Sequence, residues 1–255
     1  MTNRTFALLA ICLSTFALSP QKTTAQRLSD NNTIGWYNTY NTINLGKGFS
    51  VWLEYSWRRD NIITHWQQSL ARGGLQYRFK NNITMTLLYG YIITYPYGDY
   101  PAGPYTLPEN RLTEQLSWSE TKGRYHFSHR IRLEQRWLGK IDQKAPERDI
   151  TGWNYLNRLR YMGRVNIPLN RKTMEDKTLY AGIFDEIFIG FGKNVGQNIY
   201  DQNRVCLLAG YKFNKMLMIE AGYLNQIVQQ GSLVRGRPVF QYNNGPVVNA
   251  VLNLP

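Results

Sequence analysis

The stretch ITMTLLYGYIITY, residues 83–95, decides the fold class of this chain. Every odd-numbered position in it is apolar or aromatic, whereas the positions between them mix threonine, glycine and aliphatic residues. A period of two is typical of a β-strand with one apolar and one mixed face. Residues 49–57 alternate in the same way, with Phe49 and Trp57 at the two ends of the apolar set.

Eleven such runs follow one another along the chain. Their length of about 9–14 residues is nearer to the roughly 9–11 residues of a tilted membrane-crossing strand than to the about 5–6 residues of a soluble strand. The predicted strands are residues 33–44, 49–57, 68–79, 83–95, 111–119, 125–137, 154–167, 178–191, 202–213, 216–228 and 246–254. No linker or shift in composition separates them, so the sequence predicts one all-β domain.

The connections between the predicted strands alternate in length. Short turns are predicted at 44–48, 80–82, 120–124 and 214–215, and longer loops at 60–67, 96–110, 138–152, 192–201 and 229–245. Short turns on one side and long loops on the other are typical of a transmembrane antiparallel up-and-down β-barrel, here of about 10–12 strands. Bacterial barrels normally have an even strand number. The count of eleven therefore leaves open a further strand near Val239–Tyr242, or one strand too many.

The first 25 residues are predicted to be a cleaved signal peptide, which leaves residues 26–255 as the barrel domain. Arg4 precedes an apolar run from Phe6 to Leu18, and small residues end at Ala25, as in secretory signals. Export predicts an outer-membrane location, with outer-membrane lipid, lipopolysaccharide and other envelope proteins as partners. The aromatic share of 14% agrees, because Trp and Tyr form girdles at membrane interfaces.

The charge and the metal-ligating residues exclude several functions. The formal net charge of +13 is compatible with nucleic acid, an anionic membrane or an internal arginine cluster, and export argues against nucleic acid. Cys206 is the only cysteine after the signal, so no intrachain disulfide is expected. The histidines His126 and His129 fall on opposite strand faces. No metal site and no cofactor are predicted.

The polar strand faces carry many charges, which are predicted to point into the lumen. A lipid-facing arginine at mid-membrane costs about 2–4 kcal/mol, so a set of this size cannot face outward. The predicted lumenal charge network is Arg72, Arg78, Arg130, Arg132, Glu134, Arg136, Arg158, Arg160, Arg164, Glu186, Arg204 and Glu220. Either paired charges brace a filled interior or the arginines line a path for anions. The acidic members of the set favour the brace.

Three carboxylates and one amide fall outside this pattern. Asp185 and Gln135 have the parity of outward-facing residues. A local β-bulge that turns either of them inward, or an error in the predicted register, would account for this parity, and a partner protein covering that wall is the alternative. Asp99 and Glu109 fall in the predicted loop around residues 96–110, where an ordinary surface role is expected.

His126 and Ser128 are the one pair that suggests catalysis. A serine nucleophile needs an adjacent base, and residues two apart share a strand face. Lipid A deacylases and outer-membrane phospholipases place such residues on the lipid-facing wall, whereas this pair shares a face with the predicted lumenal charges. Glu134 lies about 20 Å along the strand from Ser128 and cannot orient the histidine.

The sequence predicts a structural or accessory role without catalysis. An anion pore or binding site is the first alternative, and a lipid-modifying hydrolase is the second.

Five segments together resemble the domain of unknown function 2490 family, a group of predicted outer-membrane barrels of Bacteroides-type bacteria. They are RLEQRW (132–137), NRLRYMGRVNIPL (157–169), DEIF (185–188), DQNRVCLLAGYKFNK (201–215) and EAGYLNQ (220–226). The resemblance implies an outer-membrane barrel with no assigned activity and supplies no catalytic residues. The matching positions include Arg132, Glu134, Asp185, Gln202 and Glu220, so they largely coincide with the predicted lumenal charges.

Overall fold

The computed structural model describes residues 27–142 and 149–255, and the predicted signal peptide at 1–25 lies outside them. The described residues form a closed barrel of eleven strands. The strands are β1 (Leu28–Gly46), β2 (Phe49–Asp60), β3 (His65–Arg78), β4 (Thr84–Thr94), β5 (Leu107–Lys122), β6 (Tyr125–Ile141), β7 (Ile150–Pro168), β8 (Thr178–Phe191), β9 (Tyr200–Lys212), β10 (Leu217–Val234) and β11 (Arg237–Leu254). No helix in this part of the chain is long and apolar enough to cross a membrane.

Each strand pairs antiparallel with the next, and β1 closes the barrel by pairing parallel with β11. An up-and-down chain with an odd number of strands must bring its first and last strands together in the same direction. The predicted all-β barrel of 10–12 strands is confirmed. The question of parity is answered by the parallel pair, because Val239–Tyr242 belongs to β11 and forms no separate strand.

The predicted loop at 229–245 is wrong. β10 continues to Val234 and β11 starts at Arg237. Arg235 and Gly236 between them have φ values of 51° and 75°, and two consecutive positive φ values are typical of a type I′ hairpin turn. The segment reads as a loop because glutamines and asparagines dominate it, but in this barrel such residues are buried on the inner faces of strands.

The two ends of the barrel differ in their connections. The connections after β1, β3, β5, β7 and β9 lie at one end, here called the turn end, and those after β2, β4, β6, β8 and β10 lie at the loop end. At the loop end residues 95–106 form the longest connection within the described ranges. At the turn end the connection at 169–177 is longer than its neighbours.

The distribution of side chains is inverted relative to a soluble protein. In the described ranges, more polar and charged side chains than apolar ones are buried. Large apolar side chains lie exposed on the outer wall, among them Leu87, Tyr89, Leu207 and Tyr223, at 50–58% exposure. A contiguous exposed apolar surface of this kind marks contact with a membrane or a partner.

The parallel seam between β1 and β11 is joined by side chains as well as by backbone. Three hydrogen bonds cross it inside the barrel: Gln241 Nε2 to Asp30 Oδ2 at 3.0 Å, Asn32 Nδ2 to Asn243 Oδ1 at 3.1 Å, and Asn38 Nδ2 to Asn249 Oδ1 at 2.9 Å. Gly245 lies so close to β1 that a Cβ atom there would be 1.7 Å from the carbonyl oxygen of Ile34. The seam therefore needs a residue without a side chain at position 245.

Candidate functional site

A fully buried carboxylate lies at the centre of the lumen. Glu134 on β6 has a side chain with 0% exposure. Its oxygens lie 2.6 Å from Arg158 Nη2 and 2.6 Å from Arg160 Nη1, with Arg111 Nη1 at 3.6 Å and Arg72 Nη1 at 4.0 Å. These five residues are called the ion-pair core. A buried carboxylate is stable only when charges and hydrogen bonds replace its hydration; here four guanidinium groups supply the charge, and Arg158 and Arg160 donate the hydrogen bonds.

The strand register explains why these side chains meet. Glu134 is directly opposite Arg158 on β7, and Arg132 is directly opposite Arg160. Like charges directly opposite each other on neighbouring strands repel. Arg160 lies against carboxylates instead, with Nη1 on Glu134 and Nη2 on Glu186 Oε1 at 2.8 Å. Glu134 of β6 thus pairs with two arginines of the neighbouring strand β7, and Glu186 of β8 completes the pairing of Arg160.

Further ion pairs continue the network toward both ends. Glu186 also contacts Arg130 at 2.9 Å and Arg204 at 3.6 Å. The remaining inner pairs are Arg72 with Glu54 at 2.9 Å, Arg111 with Glu109 at 2.6 Å, Arg136 with Glu109 at 2.8 Å, Arg158 with Asp201 at 2.5 Å, and Arg164 with Glu220. The side chains of the ion-pair core are at most 6% exposed, whereas Arg136 and Arg130 reach 14% and 20%. The paired side chains are therefore least exposed at mid-height of the barrel.

The structure places eleven of the twelve residues of the predicted charge network on the inner faces of strands. All of these except Arg132 form ion pairs, namely Arg72, Arg130, Glu134, Arg136, Arg158, Arg160, Arg164, Glu186, Arg204 and Glu220. Arg78 departs from the prediction. It has the inward parity, but it is the last residue of β3 at the turn end and its side chain is exposed.

Several charged residues of the lumen were not in the predicted set, among them Asp30, Arg58, Glu109, Arg111 and Asp201. Glu109 was expected in a loop, but it lies in β5 and is 4% exposed. Extending the alternation backward from Arg111 would have found it. Asp201 could not be found in this way, because an irregular register beside Ile189 turns it inward against the usual parity.

Two cavities lie above and below a shared layer of side chains. The loop-side cavity has a volume of about 250 Å³ and the turn-side cavity about 320 Å³. Trp36, Arg58, Arg72, Arg160 and Arg204 line both of them and are called the arginine layer. The guanidinium carbons of Arg58 and Arg204 lie 3.9 Å and 4.8 Å from the centre of a Trp36 ring, within the range of cation–π attraction. The layer separates the two halves of the lumen.

The loop at 95–106 folds over the loop-side cavity. Tyr97 donates from its hydroxyl to Gln241 at 3.0 Å and accepts from Asn243 at 3.0 Å. The backbone N–H groups of Asp99 and Tyr100 both donate to the Asp30 carboxylate at 3.2 Å. Burial raises the pKa of Tyr97 to about 12, so its hydroxyl keeps the proton that it donates across the physiological range.

Gly98 allows the close approach of this loop to β1. Its φ is +73°, and a Cβ atom would lie 2.5 Å from Asp30 Oδ2. We expect Gly98→Val to release the loop from Asp30, because valine is strained at positive φ and also clashes. Limited proteolysis of the folded barrel should then cut within 95–106 several times faster than in the unaltered protein, and Gly103→Val is the matched control. Equal cleavage rates in the two variants would contradict this anchoring.

The pair that suggested catalysis is not assembled as a nucleophile and base. His126 Nδ1 lies 2.9 Å from Thr121 Oγ1, and among the described residues no hydrogen bond joins it to Ser128. Ser128 lines the turn-side cavity beside Arg130. Both side chains face inward, as their parity predicts.

The bulge predicted to turn Asp185 or Gln135 inward is wrong. The register around both residues is regular, and both side chains lie on the outer wall. Asn203 Nδ2 donates to Asp185 Oδ1 at 2.5 Å, and Gln135 Nε2 donates to Glu114 Oε1 at 3.4 Å. These polar pairs interrupt the apolar outer surface.

A comparison with protein families assigns this barrel to a group without a known activity. Searches of curated proteins and of solved structures return no match. Residues 33–236 match the family model described as "Protein of unknown function (DUF2490)". That range runs from β1 to the hairpin turn before β11 and includes the whole ion-pair core. Because the match covers most of the sequence, the chain belongs to the DUF2490 family.

Proposed function

We propose that this protein is an integral outer-membrane barrel, closed by paired charges, that serves as a structural or accessory component of the cell envelope. The observation that carries the proposal is the ion-pair core, whose side chains are 0–6% exposed at the middle of the lumen. An open pore needs a continuous aqueous path, and buried, mutually paired side chains occupy that path here. No catalytic activity is part of the proposal.

The outer wall supports placement in a membrane. Strands of 11–19 residues are long enough to cross a bilayer at a tilt. Exposed Leu, Ile and Tyr side chains face outward, and aromatic pairs such as Trp137–Tyr155 and Phe49–Tyr77 lie near the two ends of the barrel. Such an arrangement suits acyl chains at mid-height and lipid or lipopolysaccharide headgroups at the rims.

The polar pair Asp185–Asn203 supports an accessory role. It lies on the outer wall among Ile183, Ile187 and Leu207. A polar group facing hydrocarbon is unfavourable even when it has one partner. A second envelope protein packed against β8 and β9 would cover this pair and give its remaining hydrogen-bonding atoms partners.

Planar-bilayer recording tests whether the lumen is closed. We expect the refolded protein, with folding verified by heat-modifiable migration on gels, to show no steady conductance. A variant that removes charge pairing at mid-height, Glu134→Ser with Arg72→Ser and Arg160→Ser, should conduct if it folds, because it deletes the side chains that fill the path. Arg78→Ser, outside the lumen, is the control and should remain silent.

Steady openings from the unaltered protein would overturn this proposal. Anion-selective openings in a salt gradient would then favour the alternative, a narrow anion pore lined by the arginine layer. Fractionation of envelope membranes tests the location separately, since the proposal requires the protein to sediment with outer-membrane lipopolysaccharide rather than with inner-membrane markers.

A further inference from the structure

The turn-side cavity contains more positive than negative charge. Seven guanidinium groups and only three carboxylates belong to the described residues that line it, an excess of four positive charges, and Glu134 just outside the lining pairs with two of these arginines, Arg72 and Arg160. A charge buried without a counter-charge is costly unless a partner neutralises it. The pairing that braces the rest of the lumen is therefore incomplete here.

Three arginines account for most of this excess. Their side-chain hydrogen bonds run to neutral glutamine oxygens: Arg58 Nη1 to Gln68 at 2.7 Å, Arg132 Nε to Gln115 at 2.7 Å, and Arg204 Nη2 to Gln202 at 3.1 Å. Within residues 27–142 and 149–255, neither Arg58 nor Arg132 has a carboxylate oxygen within 4.0 Å. The nearest carboxylate to Arg204 is Glu186 at 3.6 Å, and Glu186 already contacts Arg130 and Arg160.

These three arginines are also deeply buried. Arg58, Arg132 and Arg204 are 8%, 2% and 8% exposed. The Nε atoms of Arg58 and Arg204 have no hydrogen-bond partner in the described part of the chain. Each guanidinium group has five N–H donors, so one hydrogen bond to a glutamine leaves most of them free. A ligand with several acceptor oxygens would use those donors.

We infer that the turn-side cavity binds a small soluble oxyanion of the phosphate type. The planar guanidinium fork matches phosphate and carboxylate oxygens in a bidentate manner. The cavity volume of about 320 Å³ is roughly ten times the ~30 Å³ that one water occupies in the liquid, so a hydrated oxyanion fits. The inference goes beyond the proposed closed barrel, because binding does not require passage.

The route to this cavity is also basic. Arg130 and Arg164 lie toward the turn end, where their side chains are 20% and 18% exposed. They are paired with Glu186 and Glu220, and they lie between the cavity and the turn end. An anion arriving from solution at this end meets these two arginines before it reaches Arg132 and Arg58. The barrel wall separates the cavity from the outer surface, which favours a soluble anion over a lipid headgroup.

Calorimetric titration of the folded protein with inorganic phosphate tests the site. The experiment uses a zwitterionic detergent and a buffer without other multivalent anions. We expect saturable binding with a Kd below about 1 mM, weakened at least tenfold in Arg132→Gln and in Arg58→Gln. Arg78→Gln, exposed at the end of β3, should bind as the unaltered protein does. Because Arg132→Gln removes an unpaired buried charge, it should fold with an unchanged or higher unfolding midpoint.

Three results would overturn the inference. The first is the absence of saturable heat with phosphate and with sulfate. The second is an equal loss of binding in Arg78→Gln and Arg132→Gln, which would indicate a general charge effect. The third is binding of dihexanoyl phosphatidic acid without binding of phosphate, which would assign the oxyanion to a lipid headgroup. A conductance recording has no bearing on these outcomes, so the closed-barrel proposal and the anion site can fail separately.

Discussion

Replacing Glu134 by glutamine is expected to lower the free energy of unfolding by about 3–5 kcal/mol. The substitution keeps the shape of the side chain but removes the charge at the centre of the ion-pair core. Arg158 and Arg160, each with a nitrogen 2.6 Å from a carboxylate oxygen of Glu134, would then lie beside a neutral amide. The carboxamide NH₂ group would also face guanidinium donors. Urea unfolding followed by tryptophan fluorescence in phospholipid vesicles measures the loss.

The matched control for this variant is Glu120→Gln. Glu120 is exposed near the turn end of β5, and substitutions at such positions usually change stability by no more than about 0.5 kcal/mol. A double variant, Glu134→Gln with Arg158→Gln, should lose less than the sum of the two single variants, because each removes the partner that the other leaves buried. A loss below about 1 kcal/mol in Glu134→Gln would show that water screens the core and would remove the main support for a closed lumen.

Gly245→Val is expected to prevent closure of the barrel. A Cβ at this position would lie 1.7 Å from the Ile34 carbonyl oxygen, a separation that no side-chain rotation relieves because both atoms belong to or adjoin the backbone. The seam between β1 and β11 would have to separate, and with it the hydrogen bonds of Asn38 and Asn32 to β11. We expect a destabilisation above about 4 kcal/mol, the range reserved for such disruptions, and loss of the heat-modifiable band on gels.

Gly152→Val provides the comparison. Gly152 is also a strand glycine, and nothing in the described structure lies within 4 Å of a Cβ built on it. This variant should retain the heat-modifiable band and the unfolding midpoint. If Gly245→Val folded equally well, the parallel seam would not be the closure used by the protein in solution.

The strands could be predicted from the sequence because the outer wall is regularly apolar. The alternation in residues 83–95 predicts β4, because every second residue is apolar or aromatic; Met85, Leu87, Tyr89 and Tyr91 are all exposed on the outer wall. The inward position of the lumenal arginines could be predicted from their parity along the strands and from the energetic penalty of placing them in lipid. Where both faces of a strand are polar or mixed, as from Gln229 onward, composition alone suggests a loop and the strand is missed.

Other features depend on contacts that no local pattern contains. The inward position of Asp201 follows from an irregular register with β8, which the alternation within β9 does not reveal. The parallel closure joins residues 211 positions apart, such as Asn38 and Asn249. That no described carboxylate lies within 4.0 Å of Arg132 likewise results from how the other strands arrange their side chains around it. Such pairings require the closed barrel.

The parallel pairing of β1 with β11 has a topological consequence. β1 begins at the loop end, where Leu28 pairs with Val239, and β11 ends at the turn end, where Leu254 pairs with Ile43. In an even-stranded up-and-down barrel the first strand starts and the last strand ends at the same end of the barrel, whereas here they do so at opposite ends. If the barrel spans a membrane as proposed, a protease or antibody restricted to one side would reach an epitope fused ahead of Leu28 or one fused after Leu254, but not both. Membrane insertion as proposed would thus place the start of β1 and the end of β11 on different sides of the bilayer.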